Sequence, residues 1–163
     1  MKLAHKDSPQ AMDTLLEQEQ VIKMAEIKQS IKAEPDKNNN RIKVLFVDDE
    51  KDFVNVIAKR LSKRNFDVTK AFSGTEALRA MRKTDFDVAV LDLKMEDMDG
   101  IEVLKIFGKM TPELPVIILT GHGSEAASEE AVNYGAAEYL TKPCDFEDLF
   151  NKIIQVCSKA GGN

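Results

Sequence analysis

Acidic, hydroxyl and basic side chains stand at the points where apolar, strand-like runs of this sequence end. The acids are Asp48 and Asp49, after the run IKVLFV, and Asp92, after DVAVL. Thr120 and Lys142 stand at the ends of two later runs. Crowded carboxylates repel one another, and a divalent cation is the simplest way to keep them ionised. Oxygen ligands suit Mg²⁺, which usually keeps several waters and shares its other positions with a phosphate. With a hydroxyl and an ammonium for anionic oxygens, the set predicts a carboxylate nucleophile, a metal and a phosphoryl group.

These side chains converge only if the strands that carry them run parallel. From Arg41 onward, apolar runs alternate five times with segments of helical period. The predicted helices cover residues 51–64, 74–83, 101–110, 125–134 and 146–160. Short crossovers of this kind require a parallel sheet with helices on both faces. We therefore predict an α/β fold with an open, doubly wound sheet, in which ligands bind beyond the carboxyl ends of the strands.

Turn and cap residues support the predicted helices. Ser73 and Glu76 have the spacing of a capping box at the start of the second helix. Ser124 can cap the fourth helix, and Gly135 suits the position just past its end.

Composition excludes several classes of partner. The chain has 163 residues and a formal net charge of −5, with basic residues mixed among acidic ones. Nucleic-acid binding requires a basic stripe, so we expect no direct nucleic-acid partner. No apolar run approaches the roughly 18 residues of a membrane span, and the first ten residues lack a secretory signal, so we expect a cytoplasmic protein without membrane insertion. The two cysteines, Cys144 and Cys157, are predicted to be reduced thiols.

The chain is predicted to divide into an N-terminal extension, residues 1–40, and a domain, residues 41–160. The polar cluster DKNNN at 36–40 separates a polar composition from a strand-rich one. Residues 12–34 contain good helix formers but a poorly defined apolar stripe, so we favour a helix there, with a disordered segment as the alternative.

Four motifs in order give the domain a family resemblance. They are FVDDE, VAVLDLKMEDMDG, VIILTGHG and EYLTKPCD, each at the end of a predicted strand. With them, the chain from Arg41 to Ala160 resembles the receiver domain of two-component response regulators. The resemblance implies a flavodoxin-like (βα)5 fold with strand order 2-1-3-4-5.

The resemblance also implies a function. Asp92 would be phosphorylated by a sensor histidine kinase or a histidine phosphotransfer protein, in a reaction that the domain itself helps to catalyse. Mg²⁺ would be held by Asp48, Asp49, Asp92 and the backbone carbonyl of Lys94. The chain ends a few residues after the last predicted helix, so we expect output through binding of an as yet unidentified protein.

Further roles carry over to residues on the other side of the site. Thr120 and Lys142 would contact the phosphoryl oxygens, and Thr120 with Tyr139 would form the switch. The peptide bond before Pro143 is commonly cis in such proteins. One departure is that Glu96 and Asp97 follow Met95 where receivers often carry proline, which predicts a less rigid and more acidic loop.

Two other functions stay open on the sequence. A phosphohydrolase with an aspartyl intermediate would normally carry a second acid two positions after its nucleophile, where this chain has Lys94. A receiver-like binding module that never accepts phosphate is the second alternative, although the acid, hydroxyl and lysine set is complete.

Overall fold

The computed structural model describes residues 9–32 and 40–161, with side chains described from residue 14 to 26 and from 40 to 161. By its backbone contacts the chain divides into two units, Met1–Lys37 and Asn38–Asn163. Among its described residues, the first contains one helix, α1, Pro9–Lys32. Residues 33 and 34 of the predicted helical segment, and residues 36–39 of the predicted boundary cluster, lie outside the described residues. Within the described residues, no helix combines the length and the apolar character that a bilayer crossing requires.

The second unit is an alternation of five strands and five helices. In chain order they are β1 Ile42–Val47, α2 Lys51–Ser62, β2 Phe66–Ala71, α3 Gly74–Lys83, β3 Val88–Leu91, α4 Gly100–Met110, β4 Val116–Thr120, α5 Glu125–Asn133, β5 Glu138–Thr141 and α6 Phe146–Ala160. All neighbouring strands pair in parallel, in the order β2-β1-β3-β4-β5. The predicted fold class and strand order are confirmed.

The three central strands form the core. Every residue of β3 and β4 is buried, as are the last four residues of β1. Their valine, isoleucine and leucine side chains suit a pleated surface that is covered on both faces. The edge strands β2 and β5 contain exposed or half-buried residues instead. The carboxyl ends of the three central strands are therefore held in place by the buried part of the sheet.

Helix ends follow the predicted caps closely. The Ser73 hydroxyl accepts a hydrogen bond from the Glu76 amide at 3.1 Å, and the Ser124 hydroxyl accepts one from the Ala127 amide at 3.1 Å. Glu76 reaches back to the Phe72 amide, one residue earlier than a capping box predicts. Gly135 has the positive φ expected after α5.

The first helix of the domain differs from prediction at its end. Helix α2 ends at Ser62 instead of residue 64, because the chain turns there. The Arg64 amide bonds to the Leu61 carbonyl, and Asn65 has a φ of 67°, in the left-handed region that asparagine tolerates.

Backbone hydrogen bonds continue the sheet beyond the strand ends. The Asp48 amide bonds to the Ala71 carbonyl at 3.1 Å, and the Asp92 amide bonds to the Val47 carbonyl at 3.0 Å. The Lys142 amide bonds to the Thr120 carbonyl at 2.9 Å. The residues that follow β1, β3 and β5 therefore lie along one edge of the sheet.

Candidate functional site

Three carboxylates meet at this edge. Oxygens of Asp48, Asp49 and Asp92 all lie within 4.8 Å of one another. Asp48 and Asp92 are buried, with 1% and 4% of their surfaces exposed, while Asp49 is half-buried. The sheet places two of these residues directly, because Asp48 and Asp92 follow the paired strands β1 and β3. A set of hard oxygen donors that is open on one side fits a divalent cation such as Mg²⁺.

Asp92 is held by the loop that follows it. The Lys94 amide donates a hydrogen bond to Asp92 Oδ1 at 3.3 Å, so Lys94 folds back on the carboxylate through its backbone. The Gly100 amide bonds to the Leu93 carbonyl at 2.8 Å. A Cβ at position 100 would clash with the Asp92 carbonyl oxygen and lie 2.5 Å from the Leu93 Cα. Only glycine lets the start of α4 close against the backbone that carries Asp92.

Lys142 lies in the middle of the acidic groups. Its Nζ is 2.6 Å from Asp48 Oδ2, 2.9 Å from Glu50 Oε1 and 3.7 Å from Asp92 Oδ2. The ammonium also lies 4.5 Å from the centre of the Phe53 ring. The Lys142–Pro143 peptide bond is cis.

The sequence reasoning gave no role to Glu50 or Phe53. Glu50 is the N-cap of α2 and Phe53 lies in its first turn, three positions later, where residues at this spacing are neighbours on one face of a helix. That spacing was the available signal, but it does not say which lysine the face would meet.

Burial and charge act in opposite directions on the Asp48–Lys142 pair. Burial raises the pKa of Asp48, and hydrogen bonds from the Lys142 ammonium and the Glu50 amide offset this only in part. Burial works to lower the pKa of Lys142, but hydrogen bonds to Asp48 and Glu50 and the charges of Asp48 and Asp92 raise it overall. Lys142 therefore stays a cation at this edge of the sheet.

Thr120 and Tyr139 lie on the neighbouring strands β4 and β5. Thr120 is fully buried, and its hydroxyl accepts a hydrogen bond from the His122 amide at 3.2 Å. The Tyr139 hydroxyl is buried without a hydrogen-bond partner among the described residues. Burial and the charge of Asp92 raise the pKa of Tyr139, so the Tyr139 hydroxyl interacts electrostatically with the acidic cluster.

The space beside Tyr139 depends on Gly123. A Cβ at position 123 would lie 3.3 Å from the Tyr139 hydroxyl and 2.9 Å from Thr141 Cγ2. The loop after Thr120 thus passes close to the ring.

The structure brings the predicted site residues close to one edge of the sheet, in two groups. Carboxylate oxygens of Asp48, Asp49 and Asp92 lie within 4.8 Å of one another, and Lys142 lies within ion-pair distance of Asp48 and Asp92. Lys94 joins them through its amide, while its side chain is exposed. Thr120 and Tyr139 lie on the next two strands, where they bond to or pack against the loop that follows β4.

Comparison with known proteins gives one consistent result. The family model described as response regulator receiver domain matches residues 44–154. The transcriptional regulatory protein GlrR of Escherichia coli strain K12 is 36% identical over 110 residues, which are 68% of this chain and 25% of that protein. The chain thus spans about a quarter of the length of the curated relatives it matches.

Solved structures agree with the sequence matches. A CheY-like receiver domain protein from Methanospirillum hungatei JF-1 superposes with a TM-score of 0.73 at 29% identity, covering 74% of this chain and 97% of that one. A response regulator protein from Burkholderia pseudomallei superposes with a TM-score of 0.67 at 27% identity, covering 72% and 69%. That crystal structure contains a phosphorylated aspartic acid, a calcium ion and citrate.

Proposed function

The chain belongs to the response regulator receiver domain family, and we propose that it accepts a phosphoryl group on Asp92 in two-component signal transduction. The observation that carries the proposal is the cluster itself. Oxygens of three carboxylates lie within 4.8 Å of one another, and Lys142 Nζ lies 3.7 Å from Oδ2 of the buried strand-end acid Asp92. A cluster this costly in charge repulsion is typical of a site that binds a cation and an anionic substrate.

Asp92 is the nucleophile in this proposal. One of its carboxylate oxygens forms a bond to phosphorus while the bond between phosphorus and the donor's leaving atom breaks, and the leaving group keeps that electron pair. The Lys94 amide holds the other part of the carboxylate through the bond to Oδ1. Burial of Asp92 at the end of β3 limits its motion, which reduces the entropy lost when it attacks the phosphorus atom.

Asp48, Asp49, Asp92 and the Lys94 backbone carbonyl are the groups that would hold Mg²⁺. When bound there, Mg²⁺ would neutralise charge on the carboxylates and on the incoming phosphoryl oxygens. Lys142 already balances Asp48 and lies within reach of Asp92. As negative charge builds on the phosphoryl oxygens, the ammonium can move from Glu50 towards them without leaving Asp48.

Thr120 and Tyr139 give the phosphorylated state a different surface. A phosphoryl oxygen that accepts a hydrogen bond from the Thr120 hydroxyl draws the loop after β4 inward. The Tyr139 hydroxyl, which has no partner among the described residues, then moves into the space that the loop vacates. The shifted populations of the two states change the surface offered to an output protein.

The donor in this proposal is a sensor histidine kinase or a histidine phosphotransfer protein, and the output is binding of another protein. GlrR is named a transcriptional regulatory protein. This chain matches only a quarter of the length of such relatives. We therefore propose that it accepts a phosphoryl group, and we do not extend their transcriptional role to it.

The two alternatives are less well supported. A phosphohydrolase would need a general acid at position 94, where the structure has an exposed lysine side chain. A module that never accepts phosphate would have no need for three carboxylates and a lysine within ion-pair distance.

The test is intact-mass measurement after incubation with acetyl phosphate. With Mg²⁺ present we expect a mass increase of one phosphoryl group, removed by hydroxylamine as an acyl phosphate is. With EDTA in place of Mg²⁺ the increase should disappear. If no added mass appears with Mg²⁺ and any competent donor, the proposed function is wrong.

A further inference from the structure

Asp97 connects the loop after Asp92 to a separate helix. Its Oδ1 accepts a hydrogen bond from the Gly74 amide at 3.0 Å. Its Oδ2 accepts one from the Thr75 amide at 3.0 Å and another from the Thr75 hydroxyl at 2.9 Å. Gly74 and Thr75 are the first two residues of α3, more than twenty positions away in the chain.

These bonds complete the cap of α3. The first amides of a helix have no partner within it. Ser73 satisfies the Glu76 amide, and Asp97 satisfies the two amides before it. A carboxylate at this end is also favoured by the helix dipole. Although partial burial opposes ionisation, the bonds from Thr75 and Gly74 lower the pKa of Asp97, so it is fully ionised at neutral pH.

The same loop is fastened at its base. Lys94 and Asp99 form an antiparallel bridge, and the Gly100 amide bonds to the Leu93 carbonyl. Beside the tip, Gly74 lies so close to Met98 that a Cβ at position 74 would be 2.9 Å from the Met98 Cβ. The tip of the loop and the start of α3 therefore pack without intervening space.

We propose that Asp97 is a positioning residue, which holds the tip of the loop on α3 and thereby fixes the Lys94 backbone for cation binding. The proposal rests on the proposed function, because it concerns the Lys94 carbonyl as a metal ligand. Lys94 forms the bridge to Asp99 at the base of the loop, and the three bonds of Asp97 hold the tip of the same loop three residues later. A ligand in a loop held at both ends loses less conformational entropy on binding than one in a free loop.

This arrangement compensates for the composition of the loop. Glu96 and Asp97 stand where a proline would otherwise restrict the backbone. Both side chains are exposed, and the hydrogen bonds that restrict the loop come from Asp97, which bonds to the first two residues of α3.

The experiment compares Asp97→Asn with Glu96→Gln by calorimetric titration of Mg²⁺. Each variant removes one negative charge from the same loop, so long-range electrostatics change alike, but only Asp97→Asn loses bonds to α3. We expect Asp97→Asn to raise the Kd for Mg²⁺ by about three- to ten-fold over Glu96→Gln, less than the roughly 10–100-fold typical of residues that bond directly to a metal ligand, because Asp97 acts on Lys94 through the loop. Thr75→Val keeps the charge of the loop and removes only the hydrogen bond from the Thr75 hydroxyl. It should also raise the Kd for Mg²⁺, by a smaller factor than Asp97→Asn.

Hydrogen exchange of the Gly74 and Thr75 amides in the metal-free protein provides a second readout. It should be faster in Asp97→Asn and unchanged in Glu96→Gln. If the exchange is faster but both variants bind Mg²⁺ equally well, Asp97 only caps the helix and the inference is wrong. If the parent itself binds no Mg²⁺, the proposed function fails, and this inference fails with it. If Asp97→Asn no longer unfolds cooperatively, the Kd for Mg²⁺ of Thr75→Val is compared with that of the parent instead, and an unchanged Kd contradicts the inference.

Discussion

The Lys142 ammonium lies 2.6 Å from the Asp48 carboxylate and 3.7 Å from that of Asp92, so one cation is shared between the two buried acids of the site. These residues follow strands β1, β3 and β5, and Asp48 is 94 positions from Lys142 in the chain. Lys142 therefore contacts the same carboxylates that would bind a metal ion and accept a phosphoryl group.

Replacing Lys142 by Met should tighten Mg²⁺ binding while slowing phosphorylation by acetyl phosphate. The affinity should rise at least about five-fold, because one unit charge about 4 Å from another is worth ~1 kcal/mol in water and Mg²⁺ carries two charges. The rate should fall because the developing phosphoryl charge loses its partner. Calorimetry and intact mass measure the two effects. Lys59→Met, an equal charge change at an exposed position of α2, is the control, and a weaker Mg²⁺ affinity in Lys142→Met would contradict this account.

Replacing Thr120 by Ala should uncouple Tyr139 from phosphorylation more than it reduces phosphorylation. The buried Thr120 hydroxyl is the group that would bind a phosphoryl oxygen, whereas the nucleophile and the acidic cluster stay intact. The measurement is the NMR signal of the Tyr139 ring with and without phosphorylation. Thr120→Ser, which keeps the hydroxyl, should respond as the parent does. If the Tyr139 ring responds equally in Thr120→Ala and in the parent, the coupling between phosphorylation and Tyr139 does not depend on Thr120.

The cap that Asp97 provides should depend on pH in a defined direction. Its pKa in the folded chain lies below the ordinary value of 3.8, so the stabilisation is fully present above 3.8 and is lost as the pH falls through the folded-state value. Asp97→Ala should lower the free energy of unfolding by about 1 kcal/mol at neutral pH. The difference from the parent, measured by urea unfolding, should shrink below pH 3.8. Glu96→Ala serves as the control. If the difference in unfolding free energy between Asp97→Ala and the parent grows as the pH falls, the prediction is wrong.

Removing residues 1–40 should leave a domain that unfolds cooperatively and is phosphorylated on Asp92. The buried apolar residues of the described chain run from Val44 to Val156, all within the second unit, which has its own core. Urea unfolding and intact mass of the shortened and full chains test this. Loss of a cooperative transition in the shortened chain would show that the extension is part of the domain.

The sequence predicted the parts of the site that depend on topology. Once five βα units are recognised, the carboxyl ends of parallel strands must share an edge, which is sufficient to bring Asp48, Asp92 and Lys142 together. The contacts of Glu50 and Phe53 with Lys142 depend on how α2 is rotated over the sheet, and no strand rule determines that rotation.

Asp97 illustrates a second limit of sequence reasoning. Local composition predicted a less rigid loop, because the proline typical of the family is missing. The loop is anchored through α3, an element that the residues around Asp97 do not specify. Contacts between a loop and a distant helix terminus follow from the assembled fold and leave no periodic signal in the chain.

The central claim, that Asp92 is the phosphoacceptor, is tested most directly by locating the phosphoryl group after reaction with acetyl phosphate and Mg²⁺. Borohydride reduction converts an aspartyl phosphate to homoserine, which peptide mass spectrometry then assigns to a position. We expect homoserine at position 92 in the parent and in the control Asp67→Asn, an exposed residue of β2. Asp92→Asn, whose amide has nearly the same shape but is a poor nucleophile, should fold and yield no acyl phosphate. Homoserine at another position, or an acyl phosphate that persists in Asp92→Asn, would contradict the claim.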